Sequence, residues 1–299
     1  MVALAFEYGG KARFAATYDF AKEIVELREE RFLLVQSQYF RAMGQKFNRR
    51  RFLRLALAGA PLLAVGDACV LEPEWLKTRT LRVGTDAPTH RLAHITDLHY
   101  KGDRAYLREI VDRVNVLKPD FVCFTGDVVE KAAFLDGALE GLSGIQAPLY
   151  GVPGNHDFMA RLNFRVVEEC FKTTGGGWLD NRDTRTRDGR INIIGTSCNQ
   201  GVALSRVAPG VKNIMLMHFP IYVKKVEARN LDLILAGHSH GGQVRLPWVG
   251  ALVLPDGVGE YDLGLYATAA GPMYVNPGLG YLHFNIRFNC RPEITLIEV

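Results

Sequence analysis

The sequence predicts an α/β fold in which two packed sheets are flanked by helices, and three observations carry that expectation. Apolar β-rich runs alternate with segments of helical spacing through the first half of the chain, and the second half turns β-rich. Asp, Asn and His fall repeatedly at the ends of the apolar runs. The last point bears on function too, because ligands of α/β sheets gather beyond the carboxyl ends of the strands.

Residues 1–47 are expected to form an N-terminal extension. Tyr18 to Phe40 has helix-favouring composition with mixed charge, and Met43 is a second candidate start, so residues 1–42 read either as a helical extension or as a misassigned start. Residues 48–68 open with Asn48-Arg49-Arg50-Arg51-Phe52-Leu53-Arg54 ahead of an apolar run, Leu55 to Val65, interrupted by Gly59 and Pro61. The run is shorter than the ~20 residues of a spanning helix, and a basic segment before a modest apolar stretch is the pattern of a targeting signal. It resembles a twin-arginine export signal with Ala64-Val65-Gly66 as a small-residue cleavage site. A basic amphipathic helix lying on a membrane or packed on the body is the other reading.

Residues 69–299 are expected to form one domain. The run from Arg91 to Thr96 ends at Asp97, and Asp103 can cap a helix whose apolar residues are Leu107, Ile110, Val111, Val114 and Leu117. Phe121 to Thr125 ends at Gly126-Asp127 and precedes a helix through Ala132, Leu135, Ala138, Leu139 and Leu142. Pro148 to Val152 ends at Gly154-Asn155-His156, and a third helix is expected over about 160–172. Asp188-Gly189 is a turn signal between Thr184–Arg187 and Ile191–Gly195, which predicts a hairpin. Asn213 to Met217 then delivers His218, Leu231 to Leu235 delivers Gly237-His238, and the tail from Met273 to Val299 reads as two or three strands.

With 48% hydrophobic and 23% charged residues, the chain can bury a substantial core. The net charge of +4 is concentrated at the N-terminus: residues 1–66 carry 11 Lys/Arg against 6 Asp/Glu, leaving 25 against 26 in the rest. The body lacks the positive charge that nucleic-acid binding needs, so no nucleic-acid partner is expected. The five cysteines are odd in number and include no C-x-x-C pair, which argues against a disulfide framework or a thiolate zinc site. Cys123 lies in an apolar strand and reads as a small core residue.

Five segments carry the chemistry: Asp97-Leu98-His99, Gly126-Asp127, Gly154-Asn155-His156-Asp157, His218 and Gly237-His238-Ser239-His240. Imidazole nitrogen with carboxylate or amide oxygen suits Mn, Fe or Zn, and a shared carboxylate can hold two divalent metal ions roughly 3.5–4 Å apart. In their order, D-x-H, G-D, G-N-H-D, H and G-H-x-H, these segments resemble the calcineurin-like metallophosphoesterase family over residues 91–299. The resemblance implies a four-layer α/β/β/α sandwich of two mixed sheets with a dinuclear site at the strand ends. It carries Asp97, His99, Asp127 and His240 to the first metal, and Asp127, Asn155, His218 and His238 to the second.

On that reading Asp127 bridges by presenting one oxygen to each ion, and Asn155 binds through its carbonyl without adding charge. Gly126, Gly154 and Gly237 allow the turns that bring the ligands in. His156 is the motif histidine that does not bind metal; it protonates the departing oxygen, and Asp157 orients it, so the two form a catalytic dyad. The expected nucleophile is a metal-bridging hydroxide. Ser239 reads as loop structure, and His90, His94 and His283 as structural.

The phrases Leu71–Trp75, Ile95–Tyr100, Gly237–Gln243, Gly264–Tyr266 and Val275–Gly280 resemble a bacterial phosphodiesterase branch with twin-arginine or membrane N-termini. That branch includes UDP-2,3-diacylglucosamine pyrophosphatases of lipid A biosynthesis. The implied substrate is a phosphodiester or a nucleotide-lipid, and the implied location is the inner membrane or, by export, the periplasm. Leu246–Val249 and Phe219–Val223 are candidate apolar grooves for a lipid, or equally ordinary packing. A cytoplasmic nucleotide-lipid and an exported enzyme conflict, which leaves an inward-facing anchored domain or an external envelope phosphodiester. A non-catalytic scaffold of the same fold is the reading from another class, opposed by the intact ligand series and His156.

Overall fold

The computed structural model describes residues 49–85, 87–198 and 207–299, so the expected N-terminal extension lies outside the described residues. The Arg49–Gly66 stretch is one 18-residue helix, α1, which runs through Gly59 and Pro61. No helix among the described residues is long and apolar enough to cross a membrane.

The chain divides into two units, residues 1–62 and 63–299, and every strand among the described residues lies in the second. These are β1 (Lys77–Arg82), β2 (Arg91–Ile95), β3 (Phe121–Phe124), β4 (Leu149–Gly151), β5 (Gly177–Trp178), β6 (Asp183–Arg185) and β7 (Ile191–Gly195). They continue as β8 (Lys212–Leu216), β9 (Leu233–Ala236), β10 (Arg245–Leu246), β11 (Gly250–Ala251), β12 (Gly264–Ala267), β13 (Pro272–Val275) and β14 (Glu293–Glu298). The first sheet runs β1-β14-β2-β3-β4-β5 and the second β12-β13-β9-β8-β7-β6, while β10 and β11 form a small separate hairpin. Both large sheets are mixed: β2 to β5 and β7, β8, β9, β13 are parallel runs, with antiparallel pairings at β14–β2, β6–β7 and β12–β13.

Period-two alternation sorts each strand between two cores. Ala93 and Ile95 of β2 face the helices α2 (Arg104–Leu117), α3 (Leu135–Leu142) and α5 (Phe164–Thr173), which bury Leu107, Ile110, Val114, Leu142, Val167 and Phe171 against the first sheet. Leu92, on the opposite face, packs with Ile191, Ile214, Leu216, Leu233 and Leu235 in the core between the sheets. The outer face of the second sheet is covered, among the described residues, by the 3-10 helix Pro220–Lys225 and adjoining loops, which place Val223, Val226 and Leu231 on Met215, Met217 and Ile234.

Asp103 caps α2 as expected, its carboxylate accepting from the Tyr106 N–H at 3.0 Å. The helix expected over about 160–172 is α5, which starts at Phe164 because Asn163 caps it by accepting from the Arg165 N–H; a short helix the sequence did not announce, α4 (Asn155–Met159), precedes it, with Arg161 at φ 53° between the two. β1 was hidden by its polar composition; as an edge strand it needs only backbone pairing, here parallel to β14.

Candidate metal centre

Both sheets deliver the candidate ligands to one place. Asp97 and His99 follow β2, Asp127 follows β3, and Asn155 opens α4 just beyond β4; His218 follows β8, and His238 and His240 follow β9. Five of these residues, Asp97, His99, Asp127, His238 and His240, hold φ between 42° and 67°. A non-glycine residue there costs about 1–3 kcal/mol, strain that persists only where surrounding contacts impose it and that clusters at functional sites. Of the three motif glycines only Gly126 turns left-handed, at φ +102°. Gly154 and Gly237 are required instead for room: a Cβ at Gly154 would meet Asp127 Oδ1 at 2.1 Å, and one at Gly237 would meet Thr96 Oγ1 at 2.1 Å.

The side chains form two clusters. In the first, His99 Nε2 lies 3.1 Å from His240 Nε2, and Asp97 Oδ1 lies 3.9 and 3.5 Å from those two nitrogens. In the second, His218 Nε2 lies 2.9 Å from Asn155 Oδ1 and 3.2 Å from His238 Nδ1. Asp127 Oδ2 joins them, 3.4 Å from His99 Nε2 and 3.2 Å from His218 Nε2. Oδ2 is thus the Asp127 oxygen that lies near a histidine of each cluster, while Oδ1 accepts the His156 N–H at 2.8 Å.

This donor set fits two divalent cations. His218 Nδ1–H donates to the Thr125 carbonyl and His238 Nε2–H to the Asp256 carbonyl, each at 2.7 Å, so their facing nitrogens present lone pairs to one another and to Asn155 Oδ1. Acceptors that close repel unless a cation or a proton lies between them. Burial disfavours charge on His218, but the Asp127 carboxylate outweighs it and pushes the imidazole up to about 9. His238 goes the other way, down to about 3, because burial dominates and His218 adds to it. Burial raises Asp127, yet His218 and His99 hold it well below the usual carboxylate range.

Asp157 does not orient His156. Its carboxylate accepts three backbone N–H groups, from Asp127 at 2.9 Å, Val128 at 2.8 Å and Gly154 at 2.8 Å, pinning the two ligand loops to each other. The group beside His156 is Glu130: its Oε2 lies 3.5 Å from His156 Nδ1, while its Oε1 lies 2.8 Å from His99 Nδ1. Sequence reasoning missed Glu130, whose only signal is a carboxylate three residues beyond Asp127 in the same loop. Burial lowers His156, with Asp127 and Glu130 opposing.

Asp127, Asn155, His156, His238 and His240 border a cavity of about 330 Å³, walled also by Phe219, Pro255 and Leu282. Ser239 is loop structure, its hydroxyl accepting the Gly241 N–H at 3.1 Å. His94 is buried between the sheets with Nε2 2.9 Å from Thr125 Oγ1, and burial lowers it to about 3. Of the two proposed apolar grooves, Phe219 packs its ring 4.2 Å from that of His238 and Val223 is core, whereas Leu246–Val249 is an exposed hairpin.

A model of the calcineurin-like phosphoesterases matches residues 90–242. The chain is 30% identical to the uncharacterized metallophosphoesterase YkuE of Bacillus subtilis, covering 85% of this chain and 98% of that one. It is also 30% identical to the phosphodiesterase YaeI of Escherichia coli, over 84% of this chain and 99% of that one. At greater distance, it is 25% identical to the UDP-2,3-diacylglucosamine pyrophosphatase LpxG of Chlamydia trachomatis, over 81% and 94%.

Proposed function

Because the chain belongs to the calcineurin-like phosphoesterase family, and is a hydrolase of phosphoric esters, we propose that it cleaves a phosphodiester or pyrophosphate bond at the paired clusters. Asp97, His99, Asp127 and His240 would hold one divalent ion, and Asp127, Asn155, His218 and His238 the other. Bound there, the ions supply Lewis acidity that lowers the pKa of water and offsets charge on the phosphoryl oxygens. The observation that carries the reading is the single oxygen, Asp127 Oδ2, within 3.4 Å of one histidine from each cluster at the floor of an open cavity.

The protein's own part is positioning and proton transfer. His156 borders the cavity, and with Glu130 beside Nδ1 its Nε2 is left to give a proton to the departing ester oxygen. Glu130 is a positioning residue for both His156 and His99. Phe219, Pro255 and Leu282 narrow the approach of water.

The similarity to LpxG supports a nucleotide-lipid pyrophosphate such as UDP-2,3-diacylglucosamine as substrate. An envelope phosphodiester met after twin-arginine export is the second reading, favoured by the arginine run at Arg49–Arg51. Assay of UDP-diacylglucosamine beside bis-p-nitrophenyl phosphate, with Mn added and metal content measured on the same sample, tests the function. Both the hydrolase reading and the general-acid role predict that His156→Ala keeps its metals while turnover falls by about 10²–10⁴. Undiminished turnover in that variant removes His156 from the mechanism, and no cleavage of either substrate defeats the reading. A topology reporter fused after Val299 separates the two locations.

A further inference from the structure

Beside the metal-centre cavity lies another of about 530 Å³, walled by Val244, Val253 and Leu254 on one side and Leu282, Phe284 and Ile286 on the other. His240, Pro255 and Leu282 line both cavities, so the apolar one begins where the metal centre ends. Its size falls within the roughly 300–1,000 Å³ of small-molecule sites.

The two walls are tied into a formed channel. Gln243, held at φ +55°, donates through Nε2 to the carbonyls of Phe284 at 3.2 Å and Ile286 at 2.9 Å, and its Oε1 accepts the Leu282 N–H at 3.4 Å. The Arg245 N–H donates to the Phe288 carbonyl and the Phe288 N–H to the Gln243 carbonyl, both at 2.9 Å. The Gln243 amide is thus satisfied within the walls, and Ser239 is committed to Gly241. The other polar side chains of the lining are His240, at the end shared with the metal-centre cavity, and His283; the rest of what faces the space is hydrocarbon. A nucleobase or sugar would leave its polar edges unmatched there, whereas an alkyl chain has none to match.

The outer mouth is apolar as well. Val253 and Phe284 are 75% and 73% exposed, and Trp248, on the hairpin that leads into the wall, is fully exposed.

We infer that this cavity is an acyl subsite: it takes a linear hydrocarbon chain of a phosphoester whose phosphoryl group lies at the metal centre. The inference rests on the hydrolase function proposed above and narrows its substrate to an amphiphile. The chain passes His240 and Leu282 and runs between Leu254 and Ile286 toward Val253 and Phe284.

p-Nitrophenyl phosphodiesters whose second ester is methyl, butyl, hexyl or octyl vary the chain while leaving the reporter group unchanged. With Mn added, kcat/KM is expected to rise by roughly threefold to fourfold per methylene until the cavity fills. Val253→Asp, at an exposed position that tolerates polarity, and Leu254→Trp, which fills the space, should each lower the octyl-to-methyl ratio at least tenfold. Calorimetric titration with octyl phosphate reads binding separately, and it should weaken in the same variants. Cleavage of the methyl ester with no gain along the series overturns the acyl subsite and leaves the hydrolase standing. If no diester is cleaved, the hydrolase reading fails, while binding that strengthens with alkyl length would still support the cavity. Vesicle binding lost in Trp248→Ser, without chain-length dependence, assigns the apolar rim to a bilayer surface and overturns the subsite.

Discussion

At the scale of single residues, the centre depends on groups that hold the ligands as much as on the ligands. His218 and His238 each give their outer N–H to a backbone carbonyl, which fixes the tautomer whose other nitrogen can bind a cation. Glu130 sits between His99 and His156, its carboxylate oxygens 2.8 Å and 3.5 Å from their Nδ1 atoms. Glu130→Gln keeps the shape and removes the charge, so metal affinity is expected to fall about 10–100-fold, read by titration of Mn against the purified variant. Unaltered affinity and turnover would reduce Glu130 to a bystander. Asp157 lies beside His156 in sequence, but the turn at Gly154 directs it back to the amides of Asp127, Val128 and Gly154. Adjacency in the chain says nothing of which way a side chain leaves a turn, and that is why the carboxylate found beside His156 is that of Glu130 and not that of Asp157.

At the scale of elements, the ligand loops are short and packed on each other. A methyl group at Gly154 has no space beside Asp127 Oδ1, so Gly154→Ala should cost about 1–3 kcal/mol in chemical denaturation and lower metal content with it. A variant with full stability would show that the loops can part. The β6–β7 hairpin, legible from Asp188-Gly189, is tied to the residue preceding β2: Asp188 Oδ1 accepts from Thr186 Oγ1 and Oδ2 lies 2.7 Å from His90 Nε2. The Thr186 hydroxyl, and after it His90, hold the Asp188 carboxyl down to about 2 despite some desolvation. A carboxyl lowered on folding stabilises above its unfolded pKa of about 4 and loses that contribution as pH falls through the folded value. The melting temperature of Asp188→Asn should therefore lie below that of the native protein at pH 7, and the gap should close as the pH is lowered from 4 toward 2. A gap independent of pH would assign the difference to packing.

At the scale of the whole molecule, the metal centre spans the seam between two sheets. The first cluster takes Asp97 and His99 from the first sheet and His240 from the second; the other takes Asn155 from the first and His218 and His238 from the second. Ions held there as proposed would link the sheets, so removing them with a chelator should destabilise the fold. At a metal concentration 100 times Kd the loss is about 2.7 kcal/mol, or about 5–10 °C in the melting temperature of a domain this size. An identical melt with and without chelator would show that the centre forms no part of the fold's stability. The sequence by itself determined the strand and helix alternation, the ligand types and the strand ends that carry them, because local periodicity and turn chemistry act over a few residues. It left undecided the polar edge strand β1, the short helix α4 ahead of α5, which Asp127 oxygen lies near both clusters, and which carboxylate lies beside His156. Only the tertiary structure decided those, together with the apolar cavity beside His240, because each depends on residues far apart in the chain that meet when the two sheets pack.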